Sequence, residues 1–253
     1  MVGTVSDRRS PNKGPSVCNT GEVTFQRARS PQQRDARRAA ILATAASMLT
    51  ELPVAGLSLN ELARRVGLAK SNVLRYFESR EAVLLELLET ELDGWTAALR
   101  VDLSGLDGPA EQRVQQLAER VATSLAARPV LCDLASAQAS VLERNVSGEL
   151  VARHKRALLG HARELSGLVA GALPELGEQG SWQFVLALMT VTGAVWTHSQ
   201  PPAAALAAYR AEPELEVFRI EFAPALRELL AVLLLGLLVR MGEPTGPGLP
   251  AAP

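Results

Sequence analysis

A short stretch between positions 57 and 77 constrains the fold more than any other part of the chain. Ser58 precedes a short helical pattern, and with Glu61 three residues later it predicts a capping box at the helix start. Gly67 follows that pattern and can adopt the left-handed backbone conformation that ends a helix. The sequence therefore predicts two short helices joined by a sharp turn at Gly67.

Each of these two helices has one apolar side. The apolar residues of the first helix recur at helical spacing and are Leu59, Leu62, Ala63 and Val66. In the second helix Val73 and Phe77 lie four residues apart on the inner side, and Leu74 is predicted to join them through its spacing of three from Phe77. Apolar packing is therefore expected to anchor the pair.

The outer side of the second helix carries the polar residues Lys70, Ser71, Asn72, Arg75 and Tyr76. Cations bind phosphates, and short hydroxyl and amide groups near a helix start can reach base edges in the major groove. The functional interpretation is thus a helix-turn-helix that binds DNA. A helix pair that serves only as scaffold has the same polar side, so the pattern alone leaves both interpretations open.

The flanking segments favour DNA binding. An Ala-rich helix is predicted from Arg37 to Leu52, and Ser79 is expected to cap a helix from about Arg80 to about Arg100. Arg80 would lie in the first turn of that helix, where a cation is unfavourable to the helix dipole. A contact with a phosphate would explain its presence there.

Charge is divided unequally along the chain, although the net charge is only −1. Residues 1–80 hold 13 Lys and Arg against 6 Asp and Glu, whereas residues 81–253 hold 13 against 21. A basic end that contains the helix-turn-helix attracts a polyanion, and the acidic remainder would orient the protein on approach.

Residues from about Arg34 to about Leu88 resemble the DNA-binding domain of the tetracycline-repressor (TetR) family. The matching features are the Ala-rich first helix, Leu57-Ser58-Leu59, Ala63, Val66-Gly67-Leu68-Ala69, Arg75-Tyr76-Phe77 and Ser79-Arg80-Glu81-Ala82. Leu74 departs from the family pattern, which usually has a phosphate-binding tyrosine there. The residues expected to contact DNA are Arg38, Ser58, Lys70, Ser71, Asn72, Arg75, Tyr76 and Arg80.

The resemblance implies a homodimeric regulator of transcription that represses from a palindromic operator and is released by a small molecule. An activator of the same family, or a helical adaptor that binds only protein, are the alternatives. The expected inducer is unidentified and apolar or amphipathic. The following residues are expected to line the pocket for this inducer, and core packing is their other possible role: Leu88, Leu92, Trp95, Leu117, Val121, Cys132, Gln138, His154, His161, Phe184 and Met189.

The expected fold is all-α, because only 4% of the residues are aromatic and alanine and leucine dominate. It comprises an N-terminal three-helix helix-turn-helix domain and a C-terminal helical bundle for ligand binding and dimerisation. The predicted domains are a disordered basic tail at 1–33, the helix-turn-helix domain at 34–80, the bundle at 81–241 and a disordered tail at 242–253. Further helices are expected at 109–128, 130–144 and 147–173, with a short one near 204–210 and a loop at 177–180.

The helices predicted at 181–199 and 222–241 are apolar on nearly all sides, which favours partners outside their own domain. A homodimer through these helices fits a protein that reads two half-sites, and burial within a monomer is the alternative. A membrane span is not expected, because only the stretch 229–239 is free of charge and a span needs about 20 residues.

The sequence contains no motif that is typical of an enzyme: neither a phosphate-binding glycine loop, nor a nucleophile elbow, nor a HExxH motif. His154, His161 and His198 are not spaced as metal ligands, so neither a metal nor a cofactor is expected. Cys18 and Cys132 do not suggest a disulfide framework, and without a signal peptide the expected location is the cytoplasm.

Overall fold

The computed structural model describes residues 31–242, and within this range the chain is helical and contains no strand. The all-α prediction is therefore confirmed. The α-helices are α1 (Pro31–Leu49), α2 (Leu59–Val66), α3 (Lys70–Val73), α4 (Arg80–Asp102), α5 (Ala110–Ala126), α6 (Pro129–Ala137), α7 (Gly148–Ala172), α8 (Gly177–His198), α9 (Ala203–Ala211) and α10 (Phe222–Gly242). Short 3₁₀ turns lie at Val54–Gly56, Pro174–Leu176 and Pro213–Phe218, and a π-helix follows α6 at Gln138–Leu142.

The α2–α3 pair forms as its caps predict. Ser58 Oγ accepts a hydrogen bond from Glu61 N at 3.2 Å and so caps α2. Gly67 ends α2 with φ 73° and ψ 32°, which is the left-handed conformation. The Glu61 carboxylate accepts hydrogen bonds from Arg64 and Arg65. The predicted capping box is therefore present in its Ser58 half.

The helical bundle follows the N-terminal domain without a break, because α4 packs on α1 at its start and on α6 and α7 further along. Helix α8 lies between α6, α7 and α10, and α10 also packs on α5. Helices α6 and α8 approach so closely that a Cβ at Gly193 would lie 3.1 Å from Ser136 Cα. Phe184 on α8 is fully buried at the centre of this packing.

The first helix begins earlier and ends earlier than predicted. It starts at Pro31, so the last residues of the predicted 1–33 tail belong to a helix, and a proline suits the first turn of a helix. It ends at Leu49 rather than Leu52. Pro53 disfavours helical backbone at the residue before it, Leu52, so the helix cannot continue that far. The rest of the predicted tails, and Cys18, lie outside the described residues.

Two further boundaries differ from the predictions. The helix predicted at 130–144 is α-helical only to Ala137 and continues as the π-helix. The predicted loop at 177–180 is instead the first turn of α8, where Gly180 is buried. A Cβ at Gly180 would lie 3.2 Å from Leu176 Cβ and 3.3 Å from Met241 Cγ, so this glycine permits close packing rather than a loop.

The length argument against a membrane span was wrong. The segment Phe222–Met241 is long and apolar enough to cross a bilayer, with a mean hydropathy of 2.1 and 28% of its most apolar window buried. One such helix is weak evidence for a span, because a helix in the core of a protein can be equally long and apolar. The inner side of α10 is indeed buried in the bundle, through Leu226, Leu230 and Leu234, whereas much of its outer side is uncovered.

The turn between α2 and α3 yields a stability prediction. Replacing Gly67 by alanine should lower the free energy of unfolding by about 1–2 kcal/mol, because a Cβ is strained at this positive φ. The control is Gly160→Ala on the exposed side of α7, where the added Cβ meets nothing within 4 Å. That change should raise stability by up to about 1 kcal/mol, because alanine favours helix. Urea unfolding measures both, and equal effects would contradict the assigned role of Gly67.

Candidate nucleic-acid interface

Helix α3 is a single turn that is held in place by two buried side chains. It is α-helical only over Lys70–Val73, and turns continue it to Tyr76. Val73 is fully buried and Phe77 is 3% exposed, as their spacing predicts. Because these two residues fix the inner side, the outer side of α3 faces solvent.

The outer side of α3 presents side chains that have no partner within the described part of the protein. Lys70, Ser71, Asn72 and Arg75 are all exposed. None of them makes a side-chain hydrogen bond or ion pair with another residue of the range 31–242. Two cations and two short polar groups are therefore available on one surface of about one helical turn.

The cations of α2 differ from those of α3, because they are neutralised locally. Arg64 bonds Glu61 at 2.7 Å, and Arg65 bonds both Glu61 at 3.0 Å and Glu51 at 2.8 Å. The hydrogen bonds from Arg64 and Arg65 lower the pKa of Glu61 to about 2, so these pairs persist well into the acidic range. The unpaired positive charge of the helix pair is thus concentrated on α3.

Leu74 does not pack in the core, contrary to the prediction. Its side chain is 42% exposed beside Arg75. The predicted contact with Phe77 assumed a regular helix, but the α-helix ends at Val73 and Leu74 is its C-terminal cap. An apolar side chain therefore lies among the polar groups of the outer side.

Arg38 was predicted to contact DNA, but its guanidinium is occupied within the protein. Its Nε donates to Glu86 at 2.7 Å, its Nη2 pairs with the same carboxylate, and its Nη1 donates to the Tyr76 carbonyl at 2.5 Å. The guanidinium also lies 4.2 Å from the centre of the Phe77 ring. Arg38 therefore holds the end of the α3 segment from behind, with little capacity left for a phosphate.

Arg80 is likewise turned inward. Its Nη2 donates to the carbonyl of Val54, its Nη1 lies 3.4 Å from Glu81, and its Nε is buried without a partner. The Val54 carbonyl gives Arg80 a partner within the protein, and the phosphate contact of Arg80 stays a prediction. The side chains of the two other residues predicted to contact DNA, Ser58 and Tyr76, remain at least partly accessible. Ser58 is exposed while it caps α2, and Tyr76 is half-buried with its backbone carbonyl bound to Arg38.

The predicted ligand-lining residues lie in the helical bundle, and most of them are packed in its core. Gln138 and Met189 are half-buried, and the others are buried. Their buried members are Leu88, Leu92, Trp95, Leu117, Val121, Cys132, His154, His161 and Phe184. None of them borders either of two open cavities in the described part of the chain. One cavity of about 390 Å³ lies beside the helix-turn-helix, and one of about 590 Å³ is lined by the end of α8, by α9 and by the segment around the turn Pro213–Phe218.

Polar members of this set bond within the bundle. His154 Nδ1 lies 2.8 Å from Glu89 Oε1, and His161 Nε2 lies 3.7 Å from Asp93 Oδ1, so both histidines face α4. His154 is fully buried and its Nε2 has no partner.

Burial and the neighbouring Asp133 charge raise the pKa of the Cys132 thiol to about 12, which keeps it protonated and unreactive. Within residues 31–242 no group of three or more His, Cys, Asp or Glu side chains is placed to hold a metal ion.

Sequence reasoning missed the residues that join the helix-turn-helix to the bundle. Glu78, directly after the α3 segment, accepts hydrogen bonds from Ser147 N and Ser147 Oγ. Asp133 on α6 accepts a hydrogen bond from Val54 N. The cap at Ser147 is readable from its position before a helix, but its partner Glu78 lies 69 residues away and has no local signal.

Comparisons with known proteins agree with this geometry. The family described as "Bacterial regulatory proteins, tetR family" matches residues 41–87, and "Tetracyclin repressor-like, C-terminal domain" matches residues 89–241. The chain belongs to the TetR family. The residues 41–87 that match this family of bacterial regulatory proteins include the helix-turn-helix.

Curated TetR-family relatives match part of the chain. It is 41% identical over 66 residues to the HTH-type transcriptional regulator EthR of Mycobacterium tuberculosis, which is 26% of this chain and 31% of EthR. It is 35% identical over 65 residues to the regulator RutR of Escherichia coli K12, again 26% of this chain and 31% of the relative. The chain thus matches about a third of the length of these relatives.

One solved TetR-family structure has a similar fold throughout. It is described as a "possible TetR family transcriptional regulator" of Streptomyces coelicolor A3(2), and it is 22% identical with a TM-score of 0.54. The similarity covers 80% of this chain and 99% of that chain. At this identity the similarity establishes the arrangement of helices alone.

The assignment of inner and outer residues on α3 can be checked by stability. Val73→Ala should lower the free energy of unfolding by about 1–3 kcal/mol, because it removes buried methyl groups and leaves a cavity. The neighbouring change Leu74→Ala should cost less than about 0.5 kcal/mol, since it removes an exposed side chain. Chemical denaturation of both variants measures the difference. A Leu74→Ala variant as unstable as Val73→Ala would restore Leu74 to the core.

Proposed function

We propose that this TetR-family protein is a repressor that binds a palindromic operator as a homodimer and is released by a small molecule. The observation that carries the proposal is the outer side of α3, where Lys70 and Arg75 are exposed and unpaired beside Ser71 and Asn72. Unpaired cations on an exposed turn are available to phosphates, whereas Arg64 is already paired with Glu61.

The contact residues divide into two roles. Lys70 and Arg75 bind phosphates by charge, and this contribution does not depend on base sequence. Ser71 and Asn72 at the start of α3 read base edges, as amide and hydroxyl groups do in the major groove. Two weaker contacts come from the Ser58 hydroxyl and the Tyr76 phenol, each of which can donate a hydrogen bond to a phosphate.

Leu74 adds an apolar group to this surface. Its exposure between Asn72 and Arg75 suits contact with the methyl group of a thymine. Arg38 and Arg80 act indirectly in this proposal, since both are bonded to backbone carbonyls that position the helix pair.

Charge removal from α3 tests the phosphate contacts. With a duplex selected from a random pool by the wild-type protein, Lys70→Ala and Arg75→Ala should each reduce the slope of log affinity against log salt by about 1. Each should also weaken binding by roughly tenfold at moderate salt, and fluorescence anisotropy measures both quantities. Arg163→Ala is the matched control, because Arg163 is an exposed cation on α7 away from the helix pair.

Two outcomes would contradict this proposal. Selection without enrichment of any sequence would argue against an operator. An unchanged salt slope in both α3 variants, or an equal change in Arg163→Ala, would remove the phosphate role from Lys70 and Arg75.

The proposed dimer rests on the uncovered apolar faces of α8 and α10. On α8 the exposed apolar residue is Leu186, and on α10 they are Leu229, Val232, Leu235 and Val239. The residues of α10 recur at intervals of three or four and so form one stripe. A second copy is the occupant that we propose, because an uncharged stripe fits an identical uncharged stripe and a two-fold dimer presents two α3 surfaces to two half-sites.

Introducing a charge into the α10 stripe tests the dimer. Val232 is 58% exposed, so Val232→Asp should leave the monomer folded but place two carboxylates at the two-fold interface. Sedimentation velocity should then show a shift from dimer to monomer at micromolar concentration. Val101→Asp, at a 71% exposed site at the end of α4, should leave the dimer intact. A wild-type monomer, or a wild-type protein that binds lipid vesicles through α10, would overturn the proposal.

The proposed ligand response has separate support in the bundle. His154 Nε2 and both polar atoms of the Gln183 side chain are buried without partners in largely apolar surroundings. A buried polar atom without a partner destabilises the protein, and a ligand that supplies a hydrogen bond removes this cost. These atoms favour an inducer with an apolar body and a few hydrogen-bonding groups.

A further inference from the structure

The loop between α3 and α4 contains a carboxylate that completes the cap of a distant helix. Glu78 Oε1 accepts a hydrogen bond from Ser147 N at 2.6 Å, and Glu78 Oε2 accepts one from Ser147 Oγ at 2.9 Å. Ser147 Oγ in turn accepts from Leu150 N at 3.2 Å, in the first turn of α7. A negative charge is favourable at a helix N-terminus, so this contact stabilises α7 and fixes the loop against it.

A second contact attaches the segment before α2, at Val54, to the helical bundle. Asp133 Oδ2 on α6 accepts a hydrogen bond from Val54 N at 2.6 Å, and the carbonyl of Val54 is held by Arg80. Asp133 and Ser147 lie on either side of the π-helix Gln138–Leu142. The segment 133–147 is therefore fixed to the helix-turn-helix domain at both ends, with an irregular turn between the two attachments. Single π-turns within helices are frequent at functional sites.

Glu78 lies in the chain directly after the turns that extend α3, whose outer side is the proposed DNA-binding surface. Glu78 follows Tyr76 and Phe77, which Arg38 holds through the Tyr76 carbonyl and the Phe77 ring. Glu86, the partner of Arg38, also lies 3.8 Å from Arg153 on α7. The chain that follows α3 thus contacts α1 through Arg38 and α7 through the Glu78–Ser147 hydrogen bonds.

We propose that Glu78 is the positioning residue that couples the bundle to α3, by linking the place of α3 to the N-terminus of α7. This inference rests on the proposed function, because it assigns to the same DNA contacts the way in which they are regulated. When segment 133–147 changes shape, Ser147 moves and Glu78 carries the end of α3 with it. The coupling is reciprocal, so DNA that holds α3 also stabilises the Glu78–Ser147 contact.

The contact itself can be measured without DNA by amide hydrogen exchange in the full chain. The Ser147 amide has Glu78 as its acceptor, so Glu78→Ala should speed its exchange by about tenfold or more, which is about 1.4 kcal/mol. Glu78→Gln keeps one acceptor and should lie between Glu78→Ala and the wild type. Glu149→Gln is the control for negative charge alone, since Glu149 is an exposed carboxylate in the first turn of α7 and makes no bond to Ser147.

The coupling is measured by the same exchange with the selected duplex present. In the wild type, DNA should slow exchange at Ser147, Leu150 and Val151, whose amides depend on the cap. In Glu78→Ala this slowing should disappear while the salt slope of DNA binding remains, because Lys70 and Arg75 are unchanged. Ser147→Ala removes the hydroxyl from the other side of the contact and should reduce the slowing, which guards against a Glu78 variant that fails to fold.

The outcomes separate this inference from the proposed function. A wild-type protein that binds no duplex would overturn the operator proposal, and with it the regulatory role of Glu78, even if the exchange of Ser147 still depended on Glu78. A wild type that binds DNA without slower exchange at Ser147 would overturn the coupling alone. So would slowing that persists in Glu78→Ala, or a Glu149→Gln variant that behaves like Glu78→Ala.

Discussion

A helix of one turn cannot hold its own position, so the surface proposed to bind DNA depends on the packing that holds α3 in place. Short helices are unstable in water because nucleation costs more than their few hydrogen bonds return. Helix α3 persists because Val73 and Phe77 are buried beneath it. The left-handed turn at Gly67 sets the direction in which the chain enters α3. The orientation of Lys70 and Arg75 is thus determined by packing on the opposite side.

Electrostatics divides the arginines of this region into structural and available groups. Arg38 and Arg80 bond backbone carbonyls, and Arg64 is bound to a carboxylate. A guanidinium that is already paired gains less from a phosphate, because it must first give up its existing hydrogen bonds. Arg75 is exposed and has no such partner in the described range. The net charge of the domain therefore overstates the charge that DNA can use.

The sequence could predict the features that depend on near neighbours. The cap at Ser58, the turn at Gly67 and the burial of Val73 all follow from residues within one or two turns. Helical spacing failed at Leu74 because the helix had already ended there. Local patterns suggested a phosphate contact for Arg80, but they gave no sign of its hydrogen bond to the carbonyl of Val54, which is 26 residues away.

The surroundings of the bundle residues depend on contacts between distant parts of the chain, which the sequence alone could not predict. The bundle positions of the lining residues were predictable as helical, yet a stripe of apolar residues has the same spacing whether it packs in a core or lines a cavity. For His154 the structure shows a buried ring against Glu89, a pairing between α7 and α4 over 65 residues. No periodicity within one helix indicates which carboxylate of another helix it will meet.

The pairing of α7 with α4 bears on the proposed coupling between Ser147 and α3. His154 Nδ1 lies 2.8 Å from Glu89 Oε1 and His161 Nε2 lies 3.7 Å from Asp93 Oδ1, so α7 lies against α4 at both positions. Close packing transmits small displacements rather than absorbing them. The proposal places the change of shape in the π-helix Gln138–Leu142, which is the irregular turn between the two attachments to the helix-turn-helix. In the proposed coupling, a change in the bundle that reshapes this turn reaches α3 through Glu78, because Glu78 is bonded to Ser147 beyond the turn.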